Sequence, residues 1–458
     1  MNYLKLLWDL YRLKRNTSKT PAQIQRLREK KLRKMISFAY DHSDYYRRSF
    51  KQAGINEKNI MTAPLSAFPT IDKQQLLKHF DELVTAPDLK QEELRRFDES
   101  TEADRSSFKG KYHLVHSSGS TGIPGYFVYD NNAWNSMLLG IIRAALWNMS
   151  MGEILKLLKQ TPRILYIAAT DGRYGGAMAV GDGIDGVRAK QLYLDINTPL
   201  ARWIDKIREF KPNMIIGYPS ALKILGELAE RGEAEVNVFR IITCGEPLGV
   251  SLRSYLEKTF NAEVINFYGA SESLALGVET DPKEGMILFD DMNVIEVENG
   301  NMYLTSLYNF AQPLIRYRLT DSLTLEKPDA NSPYPFTRAT GLLGRSDDIL
   351  WFADERGNRE FLHPLAVEGL CIEGLRDYQF RRTSHNSFEM LAEVSKTASE
   401  TEVRAKINKQ VNGILSEKGL SYVRCKLTFV KEIRPDKHTG KKRLIIGSGK
   451  SEERSEIA

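Results

Sequence analysis

The chain has 458 residues, more than one hydrophobic core usually serves, so two or more domains are expected. An apolar fraction of 42% and a charged fraction of 27% are those of an ordinary globular protein and exclude disordered and collagen-like classes. A net charge of +6, from 65 basic and 59 acidic residues, suits a small anionic ligand and gives no reason to expect nucleic acid.

Cys244, Cys371 and Cys425 are odd in number and far apart, so neither a disulfide framework nor a zinc site is expected, and a reducing cytoplasm is the natural compartment. The apolar run 137–147 is interrupted by Arg143, and no transmembrane segment is expected. At the start, Leu4, Leu7, Trp8 and Tyr11 recur at helical spacing among Lys5, Arg12, Lys14 and Arg15. A helix docked on the core is the expectation; peripheral contact of that helix with a membrane is the alternative.

Residues 21–46 read as a basic helix, with Ile24, Leu27, Leu32, Met35, Ile36 and Phe38 covering one face. Residues 64–71 are rich in turn formers, and Asp72 can cap a helix from Lys73. The polar stretch 81–111 lacks a sustained apolar period and reads as a connector. It leads into two short apolar runs, 112–115 and 126–129, joined by His116-Ser-Ser-Gly-Ser-Thr-Gly-Ile-Pro-Gly125. Gly119, Gly122 and Gly125 allow close backbone approach, and Ser117, Ser118, Ser120 and Thr121 supply hydroxyls, the make-up of a phosphate cradle. No Gly-Lys-Ser/Thr follows, so it is not a Walker loop, and a plain surface hairpin is the alternative at this point.

After a helix over 134–147 and a buried strand over 163–170, residues 171–176 form a glycine-containing loop with Tyr174 and Gly175. Helix and strand then alternate: helices over 200–210, 221–231 and 251–260, strands over 214–218, 240–244 and 264–267. That is the pattern of an α/β domain with a parallel sheet. Its strands lead to Gly217-Tyr218-Pro219-Ser220, Cys244-Gly245-Glu246-Pro247 and Tyr268-Gly269-Ala270-Ser271-Glu272. Ligands of such sheets bind beyond the carboxyl ends of the strands, so three such loops point to one shared site. Residues 293–297 and 301–306 flank Glu298-Asn299-Gly300 as a hairpin. From residue 378 the chain reads strand (378–382), strand (388–394), helix (402–415, with Val403, Ile407, Val411 and Ile414 on one face) and strand (424–430). This small α+β unit ends in a basic glycine loop, residues 434–443, before a polar tail expected to fray.

Taken in order, residues 116–125, Gly245-Glu246-Pro247, 268–272, 316–321 and 344–348, followed by Gly440-Lys441, resemble the adenylate-forming enzymes, and within them the phenylacetate-coenzyme A ligase-like branch that includes proteins of capsular polysaccharide synthesis. The resemblance runs from about Leu27 to Leu444. It implies an α/β protein: a large multi-subdomain amino-terminal domain, residues 1–344, holding ATP and acid, and a small mobile α+β lid, residues 345–458. The match places Ser117, Ser118, Gly119, Ser120, Thr121 and Gly122 around the triphosphate, and Gly245, Glu246 and Pro247 against adenine and the α-phosphate. Tyr268 with Gly269 and Ser271 would lie beside the nucleotide, Glu272 would hold magnesium and Asp321 would accept from the ribose hydroxyls. Arg345 would lie near ribose or phosphate, Asp347 would be the hinge, and Lys441 the catalytic lysine, with Lys442 as the alternative. The loops carrying Tyr174, Gly175, Gly217 and Tyr218 would line the acid pocket and suit a flat or aromatic acid.

The implied reaction is activation of a carboxylic acid, aryl or arylalkyl, as its adenylate, with ATP and Mg2+, followed by transfer to coenzyme A. Two anions meet in such a step, which therefore needs fixed donors, a metal and a cation. The sequence departs from the family in lacking the lysine near Ile123 and Gly125, in carrying Leu319-Thr320 before Asp321, and in residues 351–362. Two other readings follow: an adenylating enzyme with a non-coenzyme acceptor, and a nucleotide-binding homologue without turnover. Bland roles also stand open: Tyr268 as a core aromatic, Glu272 as a helix-start carboxylate, Asp321 as a turn cap. The oligomeric state is not legible.

Overall fold

Strands that are apolar along their whole length can be buried on both faces only at the centre of a covered sheet. A computed structural model of the chain places them there. It describes residues 3–99, 107–116, 125–159, 161–168, 189–246, 248–319, 321, 323–329, 332–340, 350–353, 356–362, 372, 374–395, 398–433 and 445–446.

The first pair, β1 (Tyr112–His116) and β2 (Tyr126–Asp130), is the antiparallel hairpin expected around the hydroxyl-rich loop, with His116 opposite Tyr126. Two buried amides fix it: Gln312 accepts from Val128 N and donates to Tyr126 O, and Asn309 donates to Val128 O. The main sheet then follows, built from β3 (Arg163–Ala168), β4 (Lys190–Asp195), β5 (Met214–Gly217), β6 (Arg240–Thr243), β7 (Glu263–Ala270), β8 (Ser273–Glu279) and β9 (Met286–Leu288). Strands β4, β3, β5, β6 and β7 lie side by side in that order and run parallel, and β8 and β9 continue the sheet antiparallel. The helices between them, Leu200–Phe210, Pro219–Glu230 and Val250–Phe260, match the expected positions within two residues. Strand β4 and the helix Met151–Lys159 were not anticipated.

Strands β10 (Asn293–Glu298) and β11 (Asn301–Ser306) form the expected hairpin, with Asn299 and Gly300 both at positive φ as a two-residue turn requires, and β12 (Tyr317–Leu319) joins them. Strands β13 (Thr324–Glu326) and β14 (Arg338–Thr340) complete the far edge of the main sheet. Next come a short hairpin of β15 (Leu350–Ala353) and β16 (Arg359–Leu362), and the carboxyl-terminal sheet of β17 (Leu375–Ser384), β18 (Ser387–Val394), β19 (Arg424–Val430) and β20 (Ile445–Ile446) with the helix Glu400–Glu417. That helix buries Val403, Ile407 and Val411 as expected, but Leu415 rather than Ile414.

At the amino terminus, the expected helix over 21–46 divides into Pro21–His42 and Asp44–Gln52. Ser43 makes the break: its backbone is extended, its hydroxyl accepts from Tyr46 N and donates to Glu82 O, and it ends one helix while capping the next. Thr20 and Gln23 form a capping box at the start of Pro21–His42, and Asp72 and Gln75 form another before Lys73–Lys78. The stretch expected as a connector contains the helices Phe80–Leu83 and Gln91–Glu99; the second buries only Leu94, too narrow an apolar face to give a period.

A fully buried ion pair holds the amino-terminal helices to the body. Arg143 meets Asp291 through two hydrogen bonds of 2.7 and 3.0 Å, Asn16 donates to the same carboxylate at 2.7 Å, and Lys31 donates to the Asp291 carbonyl at 2.6 Å. Lys14 donates to the carbonyls of Leu146 and Trp147 at the end of the helix Asn131–Ala145. The first helix, Tyr3–Asn16, is thus docked on the core. Among the described residues no helix is long and apolar enough to cross a membrane.

Candidate active site

Register puts the site where the parallel ladder ends. Ile167, Gly217, Thr243 and Asn266 stand in one row across β3, β5, β6 and β7. One residue further, Tyr218 N still donates to Ile167 O and Cys244 N to Gly217 O, and beyond that the backbone turns into loops. A Cβ on Gly217 would lie 2.5 Å from Ile167 O, so the strands approach too closely there for a side chain.

Two of the expected residues touch at this edge. Gly245 has φ +78°, and a Cβ on it would lie 2.6 Å from Cε1 of Tyr218, so the Tyr218 ring covers its backbone. Glu246 turns both carboxylate oxygens onto Ser220, accepting from its N–H at 3.0 Å and its hydroxyl at 2.9 Å. Ser220 begins the helix Pro219–Glu230, whose own N-cap Tyr218 makes no side-chain cap bond. The carboxylate is therefore the cap, supplied from the neighbouring loop and favoured by the helix dipole. It locks the two loops together, and the part of this loop left to meet a ligand is its backbone. Cys244 beside it is half-buried, and desolvation pushes its thiol up to about 12, with the Glu246 charge adding to the effect.

The third segment differs from expectation. Tyr268 and Gly269 belong to β7 and not to a loop after it, because β7 and β8 close on each other through a bulge between Tyr268 and Ala270. A Cβ on Gly269 would lie 2.4 Å from Leu274 O, which is why glycine stands there. Only Ser271 and Glu272 form the turn, and strand β8 follows, so Glu272 is not a helix-start carboxylate. The turn is tied to the base of the hydroxyl-rich loop: Tyr129 OH donates to Ser271 O at 2.9 Å, and Ser271 Oγ donates to His116 O at 3.2 Å. His116 in turn meets Asp98, Nδ1 to Oδ2, at 3.1 Å.

Glu272 and Asp321 complete this corner. Tyr268 OH donates to Asp321 Oδ2 at 2.9 Å, and the Tyr317 hydroxyl faces Glu272 closely enough to influence its titration. Surrounding protein desolvates Glu272 and, with the Asp321 charge, pushes its carboxyl up to about 7, against pulls from Lys73 and the Tyr317 hydroxyl. Burial, reinforced by Asp321, raises the Tyr268 hydroxyl well above its ordinary value. Among the described residues no three His, Cys, Asp or Glu side chains gather as a metal cage. A lone carboxylate of raised pKa, beside a second acidic group, is a site that a divalent cation sharing its shell with phosphate oxygens would fit.

Sequence reasoning singled out neither Tyr317 nor Lys73 by role. Both arrive through one contact that is long in sequence: Ile71 pairs with Tyr317 as an isolated parallel bridge, bringing the start of the helix Lys73–Lys78 to Glu272. Residues 117–122, Tyr174, Gly175, Pro247, Arg345, Asp347 and Lys441 lie outside the described residues.

No protein-family model matches the chain. Over its length the fold is that of the AMP-forming coenzyme A ligases, as the sequence resemblance implied. The crystal structure of 2-hydroxyisobutyryl-CoA ligase, in complex with 2-HIB-AMP and CoA in the thioesterification state, superposes with a TM-score of 0.58 at 19% identity, covering 94% of this chain and 91% of that one. Among curated proteins the chain is similar to phenylacetate-coenzyme A ligase of Aromatoleum evansii, 24% identical over 72% of each chain. It is also similar to protein CapK of Staphylococcus aureus, 23% identical over 72% of this chain and 71% of that one.

Proposed function

We propose that the protein is an AMP-forming acid–thiol ligase, which condenses a carboxylic acid with ATP to an acyl adenylate and passes the acyl group to coenzyme A. The observation that carries this reading is the convergence, at the carboxyl edge of β5 to β7, of Gly245 under Tyr218 with Tyr268, Asp321 and Glu272, beside the stem of the hydroxyl-rich loop. The fold shared with a ligase crystallised with an acyl adenylate and CoA supports it.

In this reading the backbone of Gly245 and the Tyr268 ring flank the adenine, Asp321 accepts from the ribose, and Ser117 to Gly122 surround the triphosphate. Glu272 holds magnesium, which when bound neutralises charge on the phosphate oxygens. The Lys73 charge favours the ionised Glu272 carboxylate and so its availability to the cation. The lid, residues 345–458, turns about Asp347 and delivers Lys441 to the charge that develops on the α-phosphate, with Arg345 near the ribose. An aryl or arylalkyl acid is the substrate class, on the strength of the phenylacetate-CoA ligase similarity and of Tyr218 just beyond the end of β5.

The test is acid-dependent exchange of labelled pyrophosphate into ATP, with magnesium and without coenzyme A, over a panel of aryl, alkyl and hydroxy acids. Exchange with an aryl acid, followed by thioester formation on adding coenzyme A, is the expected result. ATP binding without exchange for any acid would overturn it. The similarity to CapK favours a second reading, in which the adenylate passes to a different acceptor; exchange without thioester formation would select it.

A further inference from the structure

Positive charge is concentrated at one end of the chain. Residues 3–34 hold eleven lysines and arginines against two acids, Asp9 and Glu29, a net +9 where the whole protein carries +6, so the remaining residues together are net negative. Some of these cations are committed inside the fold: Lys14 to backbone carbonyls, Lys31 to the Asp291 carbonyl, Arg28 to Asp290. Those on the outer side of the first helix are not used that way.

The helix Tyr3–Asn16 buries Leu10 and Asn16 and turns Lys5, Trp8, Tyr11, Arg12 and Arg15 to solvent. These five recur at intervals of three and four, so they form one continuous stripe. Trp8 is 58% and Tyr11 40% exposed, and their rings lie 5.7 Å apart, a paired aromatic surface in water. Lys5 makes an i,i+4 ion pair of 3.9 Å with Asp9, as a solvated face does, but a face that needed only solubility, or that bound a polyanion by charge alone, would have no use for an exposed indole. Aromatic rings flanked by lysine and arginine are the composition that lies at the boundary between lipid headgroups and acyl chains. The following helix, Pro21–His42, adds exposed Arg26 and Lys30. The opposite side of the first helix is held by the bonds of Lys14 and Asn16, so the stripe is presented on a fixed support.

We propose that this stripe is an interfacial docking surface that seats the protein on a bilayer bearing anionic lipid headgroups, with Trp8 and Tyr11 entering the headgroup region and Lys5, Arg12 and Arg15 matching the lipid charge. The site lies away from the strand ends that carry Glu272 and Tyr268, and the inference does not depend on the proposed reaction.

Co-sedimentation of the full chain with vesicles of phosphatidylcholine alone, or of phosphatidylcholine with phosphatidylglycerol, tests it. Binding to the anionic vesicles only is expected, with loss as salt is raised from about 0.05 M to about 0.5 M. Of five tryptophans, Trp134, Trp147 and Trp203 are buried and Trp351 is partly so, so a blue shift of emission on vesicle addition would report Trp8, and Trp8→Phe would remove it. Lys5→Glu/Arg12→Glu/Arg15→Glu should weaken binding at least about a hundredfold, since each cation near an anionic surface contributes several-fold. Trp8→Ala/Tyr11→Ala should weaken it while leaving the salt dependence in place. All five positions are exposed, so melting temperature should be unchanged; if the triple variant unfolds, Arg12→Glu alone carries the comparison. Absence of binding to anionic vesicles at low salt would overturn the proposal, as would binding that these variants leave unchanged. Capture of an oligonucleotide or an acidic protein without vesicle binding would equally overturn it.

Discussion

Glu272 concentrates the chemistry of the site in one carboxyl group. Its folded value is pushed from 4.5 to about 7, chiefly by desolvation. Over that window the folded protein holds a proton that the unfolded chain has released, so the metal-free protein should be most stable below the window and lose stability as pH rises through it. Glu272→Gln should remove that slope, read by denaturant unfolding on both sides of the window. A magnesium ion held by Glu272, as proposed, would compete with the same proton, so magnesium affinity should rise with pH and level off above about 7, and Glu272→Gln should raise the magnesium requirement. An unchanged metal titration would make Glu272 structural. Gly245 offers a second residue-scale check. Gly245→Ala adds about 1–2 kcal/mol for a left-handed backbone and drives its Cβ into Tyr218. If that contact is what matters, Tyr218→Ala should recover part of the loss in a double-mutant cycle, leaving only the backbone cost.

Elements were legible wherever a period was long enough to show. The helices Leu200–Phe210 and Val250–Phe260 stood out because their buried apolar positions, Trp203 and Ile207 in the first and Leu256 and Phe260 in the second, recur at helical spacing. The hairpin of β10 and β11 was legible from Asn299-Gly300, whose turn chemistry is local. Ser43 and Gly269 gave no periodic signal: the break in the first case leans on Glu82 O, 39 residues along the chain, and the bulge in the second on the fold-back of β8 that brings Leu274 O against Gly269, contacts that periodicity does not register. The same limit hid Tyr317, Lys73 and the pairing of Glu246 with Ser220, although each lies in or beside a stretch the motifs had marked. Asp291 is the clearest case, an acid in an ordinary turn that joins three elements. Burial on its own would raise its carboxyl; the Arg143 guanidinium, with Lys31 and Asn16, outweighs that and holds it below the usual carboxylate range. Asp291→Ala leaves Arg143 charged, buried and unpaired, and should cost about 3–5 kcal/mol in denaturant unfolding. Replacing both by apolar residues should cost much less, which would show that the penalty belongs to the stranded charge.

At the scale of the whole molecule, described residues of the carboxyl-terminal unit meet the main domain through a buried polar clasp within an apolar contact. Lys418, which ends the helix Glu400–Glu417, donates to Glu360 of β16 at 3.1 Å and to Thr198 O at 3.3 Å. The other Glu360 oxygen accepts from Leu200 N at 3.1 Å, at the start of the helix Leu200–Phe210, whose N-cap Pro199 has no side-chain acceptor of its own. The clasp thus spans residues from both of the expected domains and lets an acid of one cap a helix of the other. Burial lowers the Lys418 amine to about 8, with Glu360 resisting the shift, so the docked arrangement disfavours the charged amine and docking should tighten, not loosen, as pH rises through that value. If the lid turns to bring up Lys441, as proposed, opening this contact is part of the turn and its strength would set how often the turn occurs. Lys418→Met strands the Glu360 charge and should favour the undocked arrangement. Limited proteolysis should then cut faster between the two units, while Lys418→Met/Glu360→Leu, which leaves no charge behind, should cut more slowly than the single variant. If adenylation and acyl transfer use different lid positions, the single variant should also change the two half-reaction rates by different factors. Equal proteolysis of all three proteins would mean that the apolar packing around Trp203 and Leu362, and not the ion pair, holds the units together.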